Sequence, residues 1–148
     1  MKVLAVLNKS ELALVGEIEK ALSGMEYSLD ILEFKKPYNF ECVQREEIAS
    51  RLAGSDVLVY FGSRENEGNK CIDGALVEAA RLNVKVICIW LDAGAELGAG
   101  FESLGDALIS DISALSGAIT QQQQEWQNSD GTLRDDRPFK RYKCGNKR

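Results

Sequence analysis

Two stretches decide the reading of this chain: Ser55-Asp56-Val57-Leu58-Val59-Tyr60-Phe61-Gly62 and Lys85-Val86-Ile87-Cys88-Ile89-Trp90-Leu91. Each is almost continuously apolar and rich in β-branched residues, as expected of a strand covered on both faces. Between them lie a polar loop, residues 62–70, and a helical pattern over residues 72–82 in which Ile72, Ala75, Leu76, Ala79 and Ala80 share one face. Strand, loop, helix and strand in that order make a right-handed crossover between parallel neighbours.

The same unit repeats on the N-terminal side. Residues 1–7 are a third continuous apolar run, followed by Asn8-Lys9-Ser10-Glu11. Ser10 is the expected cap of a helix that places Leu12, Val15, Ile18, Ala21 and Leu22 inward and ends at Gly24. Tyr27, Leu29, Ile31 and Phe34 mark a second strand, and residues 43–52 a second helix closed by Gly54. Beyond residue 91 a loop with Gly94, Gly98 and Gly100 leads to Ala107-Leu108-Ile109, a fifth strand at the edge. Asp111 then caps a last helix with Ile112, Leu115 and Ile119 facing inward. The expected fold is α/β, a flavodoxin-like three-layer sandwich with a five-stranded, mainly parallel sheet over residues 1–120. The strands at residues 3–7, 57–61 and 86–91 should be central. Residues 121–148, opening on four glutamines, form a polar and basic extension. Its Trp126, Phe139 and Tyr142 are expected to dock on the domain, because three large rings left in water would forgo burial free energy.

Composition excludes several functions. The 148 residues suit one domain, and no apolar run approaches the ~20 residues of a membrane span, so no membrane partner is expected. The N-terminal run is too short for a secretory signal, which gives the expectation of a cytoplasmic protein. The net charge is −5, although residues 137–148 carry six cations and no acid. The body is therefore strongly acidic, which argues against nucleic acid as a partner. Histidine is absent, so there is no imidazole base, no catalytic triad and no histidine-based metal site. Cys42, Cys71, Cys88 and Cys144 lie far apart with no C-x-x-C pair, and read as buried or bystander thiols rather than a metal or disulfide framework. No metal and no tightly held cofactor is expected.

In an open parallel sheet, ligands bind at the carboxyl ends of the strands, where strand order reverses. Four loops leave those ends: residues 8–10, 35–40, 62–70 and 92–100. The third is longer than an ordinary strand-to-helix connection, and long loops are disproportionately functional. Neither the G-x-G-x-x-G fingerprint nor the P-loop pattern is present. Asn8-Lys9-Ser10 lacks the acids of a magnesium-binding receiver domain and the hydroxyl-rich loop of a flavin site. Carboxylate chemistry remains, from Asp73 and Glu78 on the third helix. On the helical wheel Glu78 lies on the polar flank, where the plainer reading is a solvated glutamate paired with Arg81.

Taken together, Asn8-Lys9-Ser10-Glu11, the acidic helix Glu46-Glu47-Ile48-Ala49-Ser50-Arg51-Leu52, the strand entry Ser55-Asp56-Val57-Leu58-Val59-Tyr60 and Glu78-Ala79-Ala80 form a pattern. It resembles the TIR (Toll/interleukin-1 receptor) domain, especially the small bacterial TIR-like proteins of antiphage defence. Trp126, Asp130-Gly131 and Lys140-Arg141-Tyr142-Lys143-Cys144 resemble the ending of such short proteins. Nucleoside 2-deoxyribosyltransferases share the fold and also place a glutamate on the helix after the third strand. At the start of that helix this chain departs from the TIR pattern, with Lys70 before Cys71 and Gly74 three residues after it.

The resemblance implies cleavage of the nicotinamide–ribose bond of NAD, as a glycohydrolase or ADP-ribosyl cyclase producing a defence signal, with NAD as substrate rather than cofactor. It implies self-assembly and a downstream effector as partners. The alternatives are a deoxyribosyltransferase acting on nucleosides and a non-catalytic TIR-like interaction module. Glu78 is then the catalytic carboxylate, with Asp73 as its substitute. Asn8, Lys9 and Ser10 sit at one end of the ligand, while Ser63, Arg64 and Asn66 contact ribose or phosphate. Trp90 either walls the pocket or belongs to the core.

Overall fold

The computed structural model describes residues 1–121 and 126–134. Five parallel strands form one sheet: β1 (Lys2–Leu7), β2 (Ser28–Glu33), β3 (Val57–Gly62), β4 (Lys85–Trp90) and β5 (Ala107–Ile109), in the order β2-β1-β3-β4-β5. This is the flavodoxin-like order, with its reversal between β1 and β3. Helices cover both faces. On one side α2 (Arg45–Leu52), α3 (Lys70–Leu82) and α4 (Gly98–Leu104) enclose Leu4, Leu58, Tyr60, Val86 and Phe101. On the other, α1 (Val15–Leu22) and α5 (Leu115–Thr120) press Ile18, Leu22 and Leu115 onto Val3, Val59, Phe61 and Ile87. Residues 3–7 of β1 are wholly inaccessible, and all of β3 is buried. That two-sided burial is why these strands carry no polar alternation.

β5 lies at the sheet margin yet is buried throughout, because the chain returns to cover it. Trp126 bridges Leu108, and the Gln127 N–H donates to the Leu108 carbonyl at 2.9 Å. The Trp126 ring sits 4.9 Å from that of Phe101, with the Arg134 guanidinium 5.3 Å from its centroid. A covered edge cannot recruit a foreign strand. Of the three aromatics expected to dock, Trp126 does so; Phe139 and Tyr142 lie outside the described residues. Among the described residues no helix is long and apolar enough to cross a membrane.

Three local expectations are corrected. Ser10 is not the cap of the first helix: the chain starts a 3₁₀ turn at Lys9 with Asn8 as N-cap, and the Ser10 hydroxyl donates instead to Glu65 at 2.6 Å. The glycine-rich stretch after β4 is not a loop throughout but contains α4, anchored by the fully buried Phe101. Gly98, at φ +83°, supplies the left-handed residue at its start. Cysteine pairing is the third. Cys42 and Cys71 form a disulfide with Cα atoms 4.8 Å apart, while Cys88 is a buried free thiol and Cys144 lies outside the described residues. The two partners are 29 residues apart in sequence. They meet because α2 and α3 lie side by side on one face of the sheet, which no spacing rule anticipates.

Candidate functional site

At the reversal of strand order, the loops after β1, β2 and β3 are fused by side chains. The Glu11 carboxylate, 1% exposed, accepts the Asn8 backbone N–H at 2.8 Å, the Ser63 hydroxyl at 3.1 Å and the Asn66 side-chain amide at 3.3 Å. Asn66 also donates to the Phe61 carbonyl at 2.7 Å and accepts from the Asn8 side chain. Tyr38 donates its hydroxyl to Asn8 Oδ1 at 2.9 Å, and its own carbonyl accepts the Lys70 N–H at 2.7 Å. Burial pushes the Glu11 carboxyl up from the ordinary glutamate range, against the opposing pull of the hydrogen bonds from Asn8 and Ser63. Asn8, Ser63 and Asn66, expected at the ligand, are therefore buried members of an internal polar network.

Glu11 was not singled out from the sequence, although a signal existed. Asn8-Lys9-Ser10-Glu11 has the spacing in which an N3 glutamate reaches back to the N-cap backbone. Lys9, Ser10 and Arg64 are exposed. The Arg64 N–H donates to Asp92 at 2.8 Å and its guanidinium to the Ala93 carbonyl at 3.3 Å, so it links the loops after β3 and β4.

Two cavities flank the start of α3. The larger, about 530 Å³, is a groove between α3 and the segment that leads into α2. Phe40, Arg45, Lys70, Asp73 and Glu78 line it, with the Cys42–Cys71 disulfide in its wall. The smaller, about 330 Å³, lies between the loops after β3 and β4 and includes Ser63, Asn66, Glu67, Asp73 and Glu96. Asp73 borders both. Asn8, Lys9, Ser10, Arg64 and Trp90 border neither. Trp90 instead packs partly buried against the core and donates its indole N–H to the Gln127 carbonyl at 2.8 Å.

No protein-family model matches the sequence, and no curated protein matches it closely. Among solved structures, a glycerol dehydrogenase from Schizosaccharomyces pombe is similar over 60% of this chain, at 18% identity and a TM-score of 0.44. The chain spans 22% of that protein's length. The fold assignment rests on the strand order and layers described above.

The helix positions the two candidate carboxylates. Asn69 caps α3, its side chain accepting the N–H groups of Cys71 and Ile72, and Asn83 ends it at φ 60°. Burial of Cys71, Ile72, Ala75, Leu76 and Ala79 fixes the helix's rotation. Glu78 then lies on the flank, partly exposed, and pairs with Arg81, whose Nε is 3.1 Å from Oε1. This hydrogen-bonded guanidinium holds the Glu78 carboxyl below the usual glutamate range, so it is ionised at neutral pH. Asp73 faces Lys70 at 3.8 Å, both half exposed. Among the described residues, no three acidic, histidine or cysteine side chains converge as a metal ion would require. The groove can thus present negative charge to a developing cation, with Arg45 and Lys70 available to an anionic substituent.

Proposed function

We propose that the chain cleaves an N-glycosidic bond of NAD or a related nucleotide in the groove between α2 and α3, as a TIR-like glycohydrolase or cyclase. One observation carries this reading: an ionised carboxylate, Glu78, on the wall of a 530 Å³ groove that also bears Arg45, Lys70 and an exposed aromatic ring, Phe40. That volume suits a nucleotide-sized ligand. As the bond to nicotinamide breaks, the pyridinium nitrogen regains its electron pair and positive charge develops on the ribose. The Glu78 carboxylate stabilises that charge, and Asp73 supplies a second carboxylate where the two cavities adjoin. Arg45 and Lys70 offset the diphosphate, while Phe40 offers a face to the base. Release of the signal product and its delivery to an effector belong to the same proposal, as does action inside the cell.

The test is incubation of the full chain with NAD, and separately with deoxynucleosides, followed by chromatography of the released base. Glu78→Gln keeps shape and removes charge. It should cut base release by about 10²–10³-fold, the scale of losing one electrostatic stabiliser, with an unchanged fold. Loss with Asp73→Asn but not with Glu78→Gln would move the role to Asp73. Parent-like turnover by both variants would end the carboxylate mechanism. A second reading, a non-catalytic interaction module, is favoured by the exposure of Phe40, Val43 and Val77 around the groove. It predicts no base release by parent or variants.

A further inference from the structure

The loop between β2 and α2 is fixed by hydrogen bonds at its two ends. At one end Tyr38 is held by the Lys70 N–H and by Asn8. At the other, the Gln44 side chain accepts the Lys35 N–H at 2.7 Å and donates to the Glu33 carbonyl at 2.8 Å. Between these pins lie residues 39–43. Phe40 is 90% exposed and Val43 55%, so burial does little to hold them. What ties this stretch to α3 is the Cys42–Cys71 disulfide, which sits in the groove wall.

We propose that Cys42–Cys71 is a reversible thiol–disulfide exchange site for small thiols, and that its state sets the mobility of residues 39–43 along the groove. The geometry gives the exchange a direction. Both cysteines line the groove, but Cys71 is 1% exposed and Cys42 only partly buried, so an incoming thiolate meets the Cys42 sulfur. Cys71 is then the leaving group. It occupies the second position of a 13-residue helix, where the positive helix end favours the departing thiolate. The step balances: the thiolate forms a mixed disulfide with Cys42 while the Cys42–Cys71 bond breaks and Cys71 leaves as thiolate. A second thiolate attacks the small thiol's sulfur and releases Cys42 as thiolate. Two thiols are oxidised to one small disulfide, and one protein disulfide is reduced to two thiols. After reduction the pins at Tyr38 and Gln44 still hold, so only the stretch between them is released. Phe40 and Glu41, which line the groove, are carried on it.

This inference stands apart from the glycosidic reading, because its readouts need no substrate. The full chain is equilibrated in glutathione buffers of graded reduced-to-oxidised ratio, then acid-quenched, alkylated in denaturant and mapped by mass. Cys42 and Cys71 should convert together and reversibly with a midpoint inside the series, Cys88 staying reduced throughout. Amide exchange should accelerate at residues 39–43 in the reduced chain, while β1, β3 and β4 stay protected as in a folded domain. Cys42→Ser, which cannot form the bond, should reproduce that exchange pattern in a folded chain. The proposal falls if the bond persists in the native chain under excess reduced glutathione. It falls equally if reduction abolishes protection across α3 and the sheet, or if Cys42→Ser matches the oxidised chain at residues 39–43.

Discussion

Replacing Glu11 tests whether the polar network at the strand reversal holds the loops together. Glu11→Ala removes the acceptor of three donors, but the three losses differ. The Ser63 hydroxyl can rotate, and the Asn66 amide keeps its 2.7 Å bond to the Phe61 carbonyl. The Asn8 backbone N–H, bonded to Oε1 at 2.8 Å inside the fold, has no such recourse. An orphaned buried donor costs about 1–3 kcal/mol, and loss of the packed side-chain methylenes adds about 1 kcal/mol. Relief of the desolvated carboxylate offsets part of this, leaving about 2 kcal/mol. For a chain of this size that lowers Tm by about 4–8 °C. Urea unfolding monitored by circular dichroism gives the free energy directly. Because Ser63 shares the network, a double-mutant cycle of Glu11→Ala with Ser63→Ala should show a coupling of at least about 0.5 kcal/mol. The sign of the pH effect is also fixed. The folded Glu11 carboxyl is raised above its ordinary value of 4.5, so the folded state binds the proton more tightly. Its contribution to stability is thus greatest below that value and falls as pH rises through the raised one. The stability of the parent minus that of Glu11→Gln should fall across the same window. A Glu11→Ala variant within 0.5 kcal/mol of the parent, or strict additivity with Ser63→Ala, would refute the network's structural role.

Other expectations concern packing. Gly105→Ala would set a methyl group into the fully buried Phe101 ring, and should cost about 1–3 kcal/mol or more in urea unfolding. Trp126→Ala removes the ring in contact with Phe101 and Arg134, a loss of about 3 kcal/mol, and uncovers the β5 edge. Faster amide exchange in β5 than in β1 would register that change. Cys71→Ser removes a cross-link with a separation of 29 residues, worth about 3–4 kcal/mol by loop entropy. Reductant should then lower the parent's Tm while leaving the variant's unchanged.

Residues 3–7, 57–61 and 86–89 could be placed at the sheet centre from sequence because a strand buried on both faces needs every side chain apolar, although the expected last residue of the third run, Leu91, lies exposed beyond the end of β4. That demand is local and written residue by residue. The buried face of α3 was largely legible, since Ile72, Ala75, Leu76 and Ala79 follow helical spacing and are all buried, while Ala80, expected with them, is only partly so. The pairing of Glu78 with Arg81 was readable for the same reason: three residues on a helix are neighbours in space.

The site was only half legible. Asn8, Ser63 and Asn66 were rightly placed at the strand ends, but their orientation follows from Glu11, whose carboxylate they and the Asn8 backbone surround. Whether a loop side chain turns outward to a ligand or inward to another loop depends on what the neighbouring loop offers. That is a relation between residues about fifty positions apart.

By itself, then, the sequence determined the strands, the alternation with helices and the absence of imidazole chemistry, because periodicity and composition act through neighbours along the chain. Only the tertiary structure decided that Cys42 meets Cys71, that Glu11 gathers the β1 and β3 loops, and that Trp126 closes the β5 edge. Each of these contacts joins segments brought together by the strand order β2-β1-β3-β4-β5. Local patterns cannot encode them, since the distance between such segments is set by how the whole sheet is assembled.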